Sequence, residues 1–409
     1  MRLFCFFLLG ALLAGCASGG MASMPRTASP GTAESTANAA LNAALRSPRD
    51  AGSQPYRVLY RFAGGADGES PLAGLVSFNG SLFGTTINGG VNGLGTVFDL
   101  DLNGSENVVH SFGAGADGMR PEASLVQFAG ALFGTTGNGG STGNGTVFET
   151  SVNGDESTLY SFDGVGGQPN FPISRPVFLV GTLFATTKYG GAYSNSFGLG
   201  GGTVFTLKSG VETILHSFGH GADGAEPDAG LIDVDGAFYG TTASGGANGD
   251  GTVFEISSTG TEHVMHSFGG GTDGSAPLAE LHAVNGVLYG TTSTGGKNGF
   301  GTVFAVVSTG REWVVHAFAG GADGANPLAG VVGGWNGMLY GTAVNGGAAG
   351  KGTVFEVSTG GVEHVLHSFA GGSDGAAPYG NLIDVDGTLY GTTSAGGGGG
   401  GGTVFALTP

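Results

Sequence analysis

The sequence predicts an all-β chain, a seven-bladed β-propeller of four-stranded blades, and three observations predict it. First, a Gly-Thr-Val-Phe element recurs at Gly95, Gly145, Gly202, Gly251, Gly301, Gly352 and Gly402, in steps of 50, 57, 49, 50, 51 and 50 residues. A fixed period of this kind marks an architecture of stacked supersecondary units. Second, each unit reads as four short runs of Val, Thr, Phe and Tyr bounded by Gly, Asn, Asp and Pro, which is a strand-and-turn pattern. Four strands in about 50 residues is the size of a propeller blade. Third, the two ends of the repeat region are offset. Residues 57–62 match the fourth strand of a unit, and 403–407 match the third. Pairing the two closes the ring and removes the edges that an open array must protect.

The unit around Tyr289 shows the elements in order. Strand a covers 278–284, and Asn285-Gly286 makes a two-residue hairpin turn. Strand b follows at 287–292, then a glycine loop, strand c at 302–307, a Ser308-Thr309-Gly310 turn and strand d at 312–318. In such a meander the d-to-a and b-to-c connections emerge on one face, and these are the long, glycine-rich ones. Loops carry function more often than the elements they join, so a ligand is expected on the glycine-loop face.

Residues 1–15 precede the repeats and read as a lipoprotein signal peptide. Arg2 opens the segment, and the apolar run 3–13 is too short to span a bilayer. Leu13-Ala14-Gly15-Cys16 is similar to the bacterial lipobox, which implies a lipidated Cys16 held in the membrane by several acyl chains. By resemblance to enterobacterial lipoprotein sorting, Ala17 rather than Asp after that cysteine implies the outer membrane or cell surface within the envelope. Residues 16–54 are rich in Ala, Ser, Thr and Pro and read as a flexible tether, which leaves 55–409 for the propeller. Cys5 lies in the signal, so the propeller has neither a disulfide nor a thiolate metal site.

Composition narrows the function classes. The chain carries 88 Gly, yet they stand at fixed repeat positions beside regular aromatics and read as turn residues. A formal net charge of −18 does not suit a phosphate backbone, so nucleic acid is excluded as a partner. There is no HExxH, P-loop or CxxC.

The third unit breaks the repeat. Its b-to-c loop is longer and carries Lys188, Tyr189, Tyr193 and Phe197. Three residues past each unit's proline, strand a reads Gly74, Ser124, Arg175, Gly230, Glu280, Gly330 and Asn381. Strand a lines the axis, so Ser124, Arg175, Glu280 and Asn381 converge where the others are small. Together with the four loop residues they form the expected ligand-binding set. The plainer reading is drift in a loop that tolerates insertion.

Asp67, Asp117, Asp223, Asp273, Asp323 and Asp374 precede glycine in the d-to-a loops. They read as calcium ligands or as turn formers accepting their own loop's N–H. Each loop supplies one acid and equivalent loops stand apart, so the turn reading is preferred and no cofactor is expected. His110, His216, His266, His316 and His367 share one strand-d position with Tyr60 and Tyr160, a packing slot rather than a metal cluster. The i, i+3 spacing of His263 and His266 predicts opposite strand faces.

The unit HSFAGGxDGxxPxxxLIxVDGTLYGTTSxGGxxGxGTVFxL resembles the GloVer tandem repeat of bacterial "choice-of-anchor" surface proteins over residues 57–409, with the third unit departing most. The layout also looks kelch-like, although the kelch Tyr-Trp pair is missing. The resemblance implies an exported, anchored protein and no established activity. The expected role is a surface-anchored, non-catalytic binding or scaffold propeller for a glycan or an envelope protein. The alternatives are an enzyme acting on an extracellular polysaccharide and a purely structural envelope protein. Glycoside hydrolysis normally needs two carboxylates, and on the axis only Glu280 is so placed.

Overall fold

The computed structural model describes residues 55–409 apart from 114, 165–166, 194–197, 270 and 335. The signal peptide, Cys16, the tether and Phe197 lie outside the described residues. The β-branched and aromatic runs form seven four-stranded antiparallel sheets, the blades. In blade 5, strands a to d are His282–Val284, Val287–Thr292, Thr302–Val307 and Glu312–Ala317. Blade 7 takes Ile383–Val385, Thr388–Thr393 and Thr403–Leu407, and Tyr56–Arg61 is its outer strand. Tyr56 pairs with Leu407 and Arg61 with Thr403, so the ring closes as the offset ends predict. Asn285 and Gly286 both have left-handed φ, 51° and 79°. That is the hairpin turn whose twist matches the strands it joins.

Strand a is shorter than expected. In blade 5 only 282–284 are paired, and 278–281 lie outside the ladder. The Ala279 carbonyl there is satisfied by the neighbouring blade instead, as a buried backbone group must be. The first Thr of strand b donates across to the next strand a. Thr241 Oγ1 reaches the Ala279 carbonyl at 3.2 Å and Thr291 Oγ1 the Ala329 carbonyl at 2.9 Å. Thr392 Oγ1 donates to Ala73 at 3.0 Å and carries this link across the closure. The second Thr stays within its blade, as Thr292 does with Thr302. The Thr-Thr pairs thus bind blades together, beyond filling β-branched positions.

The core lies between blades. Each strand-c Phe meets the Phe that ends the preceding blade's strand d, as in Phe268–Phe304 and Phe62–Phe98. Across the seven seams these rings lie 4.9–5.4 Å apart at interplanar angles of 59–79°. Such edge-to-face pairs are worth about 0.5–1.5 kcal/mol beyond the area they bury.

One irregularity recurs between strands c and d. In blade 4, His266 faces Val253 and Val264 faces Phe254, which leaves Met265 as a β-bulge. The extra residue resets the alternation of faces. His263 and His266 therefore share a face, contrary to the i, i+3 expectation, while Glu262 and His266 face opposite neighbours. Each such blade turns its histidine toward the next blade and its glutamate toward the previous one.

Candidate functional site

The segment leading into strand a brings the third residue after its proline to the axis, and there Arg175 meets Glu280. Arg175 Nε donates to Glu280 Oε1 at 3.0 Å and Oε2 at 3.1 Å. The pair spans blade 4, which presents only Gly230 between them. A Cβ on Gly230 would stand 2.3 Å from Glu280 Oε1. The carboxylate holds the guanidinium pKa above its usual value against the opposing pull of burial. Asn381 Oδ1 accepts the Gly330 N–H at 2.7 Å.

A cavity of about 340 Å³ lies beside this layer. Gly74, Ser124, Arg175, Glu280 and Asn381 bound it at one end, and its wall runs along strand a to Ser77, His282, Asp384 and Val385. Strand a runs from the long loops toward the short a–b turns, so the cavity extends toward the short-turn face. The loop lengths pointed to the opposite face. Val76, Ile232, Val332 and Ile383 make the apolar part of the wall. His282 Nε2 accepts the Gly333 N–H at 2.9 Å, and burial lowers the imidazole pKa, so this histidine is held neutral. Asp384 Oδ1 accepts the Gly387 N–H of its own turn.

The other expected ligand residues are not brought to this cavity. Lys188 Nζ donates to Asp228 Oδ2 at 2.9 Å. Burial pulls the ammonium down, but Asp228 together with Tyr189 and Glu226 leaves the pKa raised. Asp228 itself is raised, because burial outweighs the lysine. Tyr189 packs at 5.9 Å from the Phe171 ring and Tyr193 at 4.9 Å from His220. Asp228 stands two residues before Gly230, on the segment that leads into strand a. Glu122 holds the same place in blade 2 and pairs with Arg120 at 3.2 Å. Sequence reasoning missed both acids because it scanned only the third residue after each proline.

A second constellation sits at the outer seams between blades. The loop aspartates accept their own loop's N–H, as expected of turn formers: Gly269 N donates to Asp273 at 2.8 Å and Ala370 N to Asp374 at 2.7 Å. Each loop does supply one acid, but a second arrives from the next blade's strand d. His110, Asp117 and Glu156 meet at one seam, His266, Asp273 and Glu312 at another, and His316, Asp323 and Glu363 at a third. In each, one ligand atom per residue lies within 4.8 Å of the others. Burial and the Asp273 charge push the Glu312 carboxyl up to about 8. The glutamates open strand d at 106, 156, 212, 262, 312 and 363, a regularity the sequence displays. What hid the seam was the bulge, which aims each glutamate and histidine at opposite neighbours.

Seven blades closed by their first strand define a β-propeller with an ion-paired axis. Within that class, the chain belongs to the Gloeobacter/Verrucomicrobia repeat family, whose repeat matches residues 49–199 and 181–405. No curated protein matches the sequence. Among solved structures, an oligogalacturonate lyase from Vibrio parahaemolyticus is similar at 9% identity and a TM-score of 0.50, over 87% of this chain and 97% of that one. A puromycin hydrolase is similar at 12% identity and a TM-score of 0.52, over 80% of this chain and 50% of the hydrolase. At these identities the likeness is one of fold.

Proposed function

We propose that the chain is a surface-anchored, non-catalytic binding or scaffold propeller that holds a glycan or an envelope protein, with Cys16 as its lipidated anchor. One observation carries the reading. The acids Glu280, Asp228 and Glu122, on the segments that lead into strand a, each have their own cation, Arg175, Lys188 and Arg120. Acid–base cleavage of a glycosidic bond needs one carboxyl to protonate and another to act as base or nucleophile. Of the two acids that line the cavity, Glu280 is held by Arg175 and Asp384 caps its own turn, so both are engaged in holding structure. The axial cavity, which has the size of a small-ligand site and mixed polar and apolar walls, is the proposed seat for a sugar residue or a protruding side chain.

The test is a thermal melt of the chain against a panel of soluble glycans, beside a Ser77→Trp variant that fills the cavity. A ligand of the folded state raises the melting midpoint, and the rise should vanish in the variant. Release of new reducing ends would overturn the non-catalytic reading. Absence of any shift would overturn the glycan and leave the scaffold. Anchoring is read separately, as incorporation of labelled fatty acid that is lost in Cys16→Ala.

A further inference from the structure

We propose that the seam between blades 5 and 6 binds a first-row divalent cation of the zinc or manganese kind through His316 Nε2, Asp323 and Glu363. The seams of His110, Asp117 and Glu156 and of His266, Asp273 and Glu312 are sister sites. One imidazole nitrogen and two carboxylates make a mixed donor set. Calcium prefers six to eight oxygens, whereas imidazole suits zinc and its neighbours.

Three features carry the proposal. The first is spacing. The His Nε2 to Asp oxygen distances are 3.3, 3.2 and 3.3 Å at the three seams. His110 and His266 are within hydrogen-bond reach of their aspartates, and His216–Asp223 and His367–Asp374 stand at 3.1 and 3.2 Å, so the spacing is common to the histidine seams. It matches the edge, about 3.3 Å, of a tetrahedron whose bonds are about 2.0–2.1 Å. The second is unmet polarity. His316 Nε2 and Glu363 Oε1 are both cut off from solvent and have no hydrogen-bond partner. Glu312 Oε1 is in the same condition, as are Glu106 Oε1 and Glu262 Oε1 outside the three sets, so it is the unpartnered histidine that sets the blade 5–6 seam apart. His316 Nε2 stands 3.3 Å from Asp323 Oδ1 but off the hydrogen-bond direction. A buried polar atom without a partner is costly, and two facing carboxylates repel unless a proton or a cation lies between them. A divalent cation satisfies all three groups and balances their two negative charges. The third is construction. The β-bulge aims the histidine of one blade and the glutamate of the next at the same loop aspartate. The cation would tie each blade to its neighbour at the rim.

The remaining seams are internal controls. Tyr60 replaces the histidine beside Asp67 and Glu106, Tyr160 replaces another, and Asp374 meets Tyr56 where a glutamate would stand. His216, Asp223 and Glu262 supply the same residue types without drawing together as closely as the three sets. Binding should therefore approach three equivalents per chain, not seven.

The full-length chain, stripped with EDTA and dialysed against Zn²⁺ or Mn²⁺, is assayed for bound metal by mass spectrometry and for its melting midpoint. The expected result is about three equivalents and a raised midpoint. Glu363→Gln, Glu312→Gln and Glu156→Gln should each remove one equivalent and their combination all three, with the circular dichroism of the β-fold retained. Glu106→Gln should remove none. Less than one equivalent at saturating metal overturns the proposal. So does binding that survives the triple variant, which would place the metal on the general acidic surface. A midpoint that responds to pH but not to either metal would show that a proton occupies the seam. Calcium bound in preference to zinc and manganese would refute the donor-set argument.

Discussion

Gly290→Ala tests whether the repeated glycine of strand b is required by packing or by the backbone. Gly290 has no left-handed φ, so alanine fits its backbone. On backbone grounds alone the change should stabilise, by about 0.4–1 kcal/mol, through the unfolded chain. The packing says otherwise. A Cβ there would stand 2.5 Å from Phe304 Cζ and 2.9 Å from Leu281 Cδ2. Carbon atoms pack at about 3.5–4.0 Å, and both neighbours are buried. Relieving such overpacking typically costs about 1–3 kcal/mol, so the net loss should be about 1–2 kcal/mol. Blade 3 supports this sign. Ala185 occupies the same position there, fully buried, and the facing Leu is replaced by Pro176. The assay is the urea midpoint at unchanged slope, with Ala185→Gly as the reverse change. In a Phe304→Leu background the Gly290→Ala penalty should shrink, because the two sites are in contact and their effects couple. A midpoint equal to or above wild type would refute the packing argument, and the glycine would need another cause.

Other outcomes follow from features already described. Arg175→Ala leaves the Glu280 carboxylate half-buried and unpaired and should cost about 1–3 kcal/mol after allowance for solvent screening. Adding Glu280→Gln should recover part of that loss, read as the denaturant midpoint. Burial and the Asp67 charge push the Glu106 carboxyl up to about 7. Its folded pKa exceeds the unfolded value near 4.3, so its contribution is full below that value and is lost as pH rises through 7. Glu106→Gln should therefore flatten the melting midpoint between those pH values and melt above wild type at pH 8. Deletion of residues 55–61 exposes the outer edge of Thr403–Leu407 and should lower the midpoint and promote self-association, seen by light scattering.

Much of the fold was legible because the signals were local and repeated. The blade count follows from the Gly-Thr-Val-Phe steps, the closure from the offset of 57–62 and 403–407, and the hairpin turns from pairs such as Asn285-Gly286. The convergence of Arg175 and Glu280 was legible in part. Their shared position on strand a could be counted, but the ion pair also depends on Gly230 leaving room between them. The length of strand a was not legible, because it depends on which carbonyls Thr241 and Thr291 claim from the next blade. The seams were hidden by one extra residue in strand d. Met265 reads as an ordinary strand residue, yet it inverts the face on which His266 falls. Lys188 and Tyr193 stood out by composition but found partners in Asp228 and His220, so rarity in the repeat did not translate into a shared site.

The pairing of Tyr56–Arg61 with Thr403–Leu407 also bears on how the protein is made. Six blades can each complete themselves from a continuous stretch, but the seventh waits for its two most distant strands. Closing so long a loop is entropically costly and slow. Until Thr403–Leu407 is synthesised, Tyr56–Arg61 has no partner, and the growing chain is an open arc with a bare β-edge. A chain cut short anywhere in the last blade would remain in that state. The ring thus acts as a check on synthesis, since only a chain that extends through Thr403–Leu407 can cover Tyr56–Arg61.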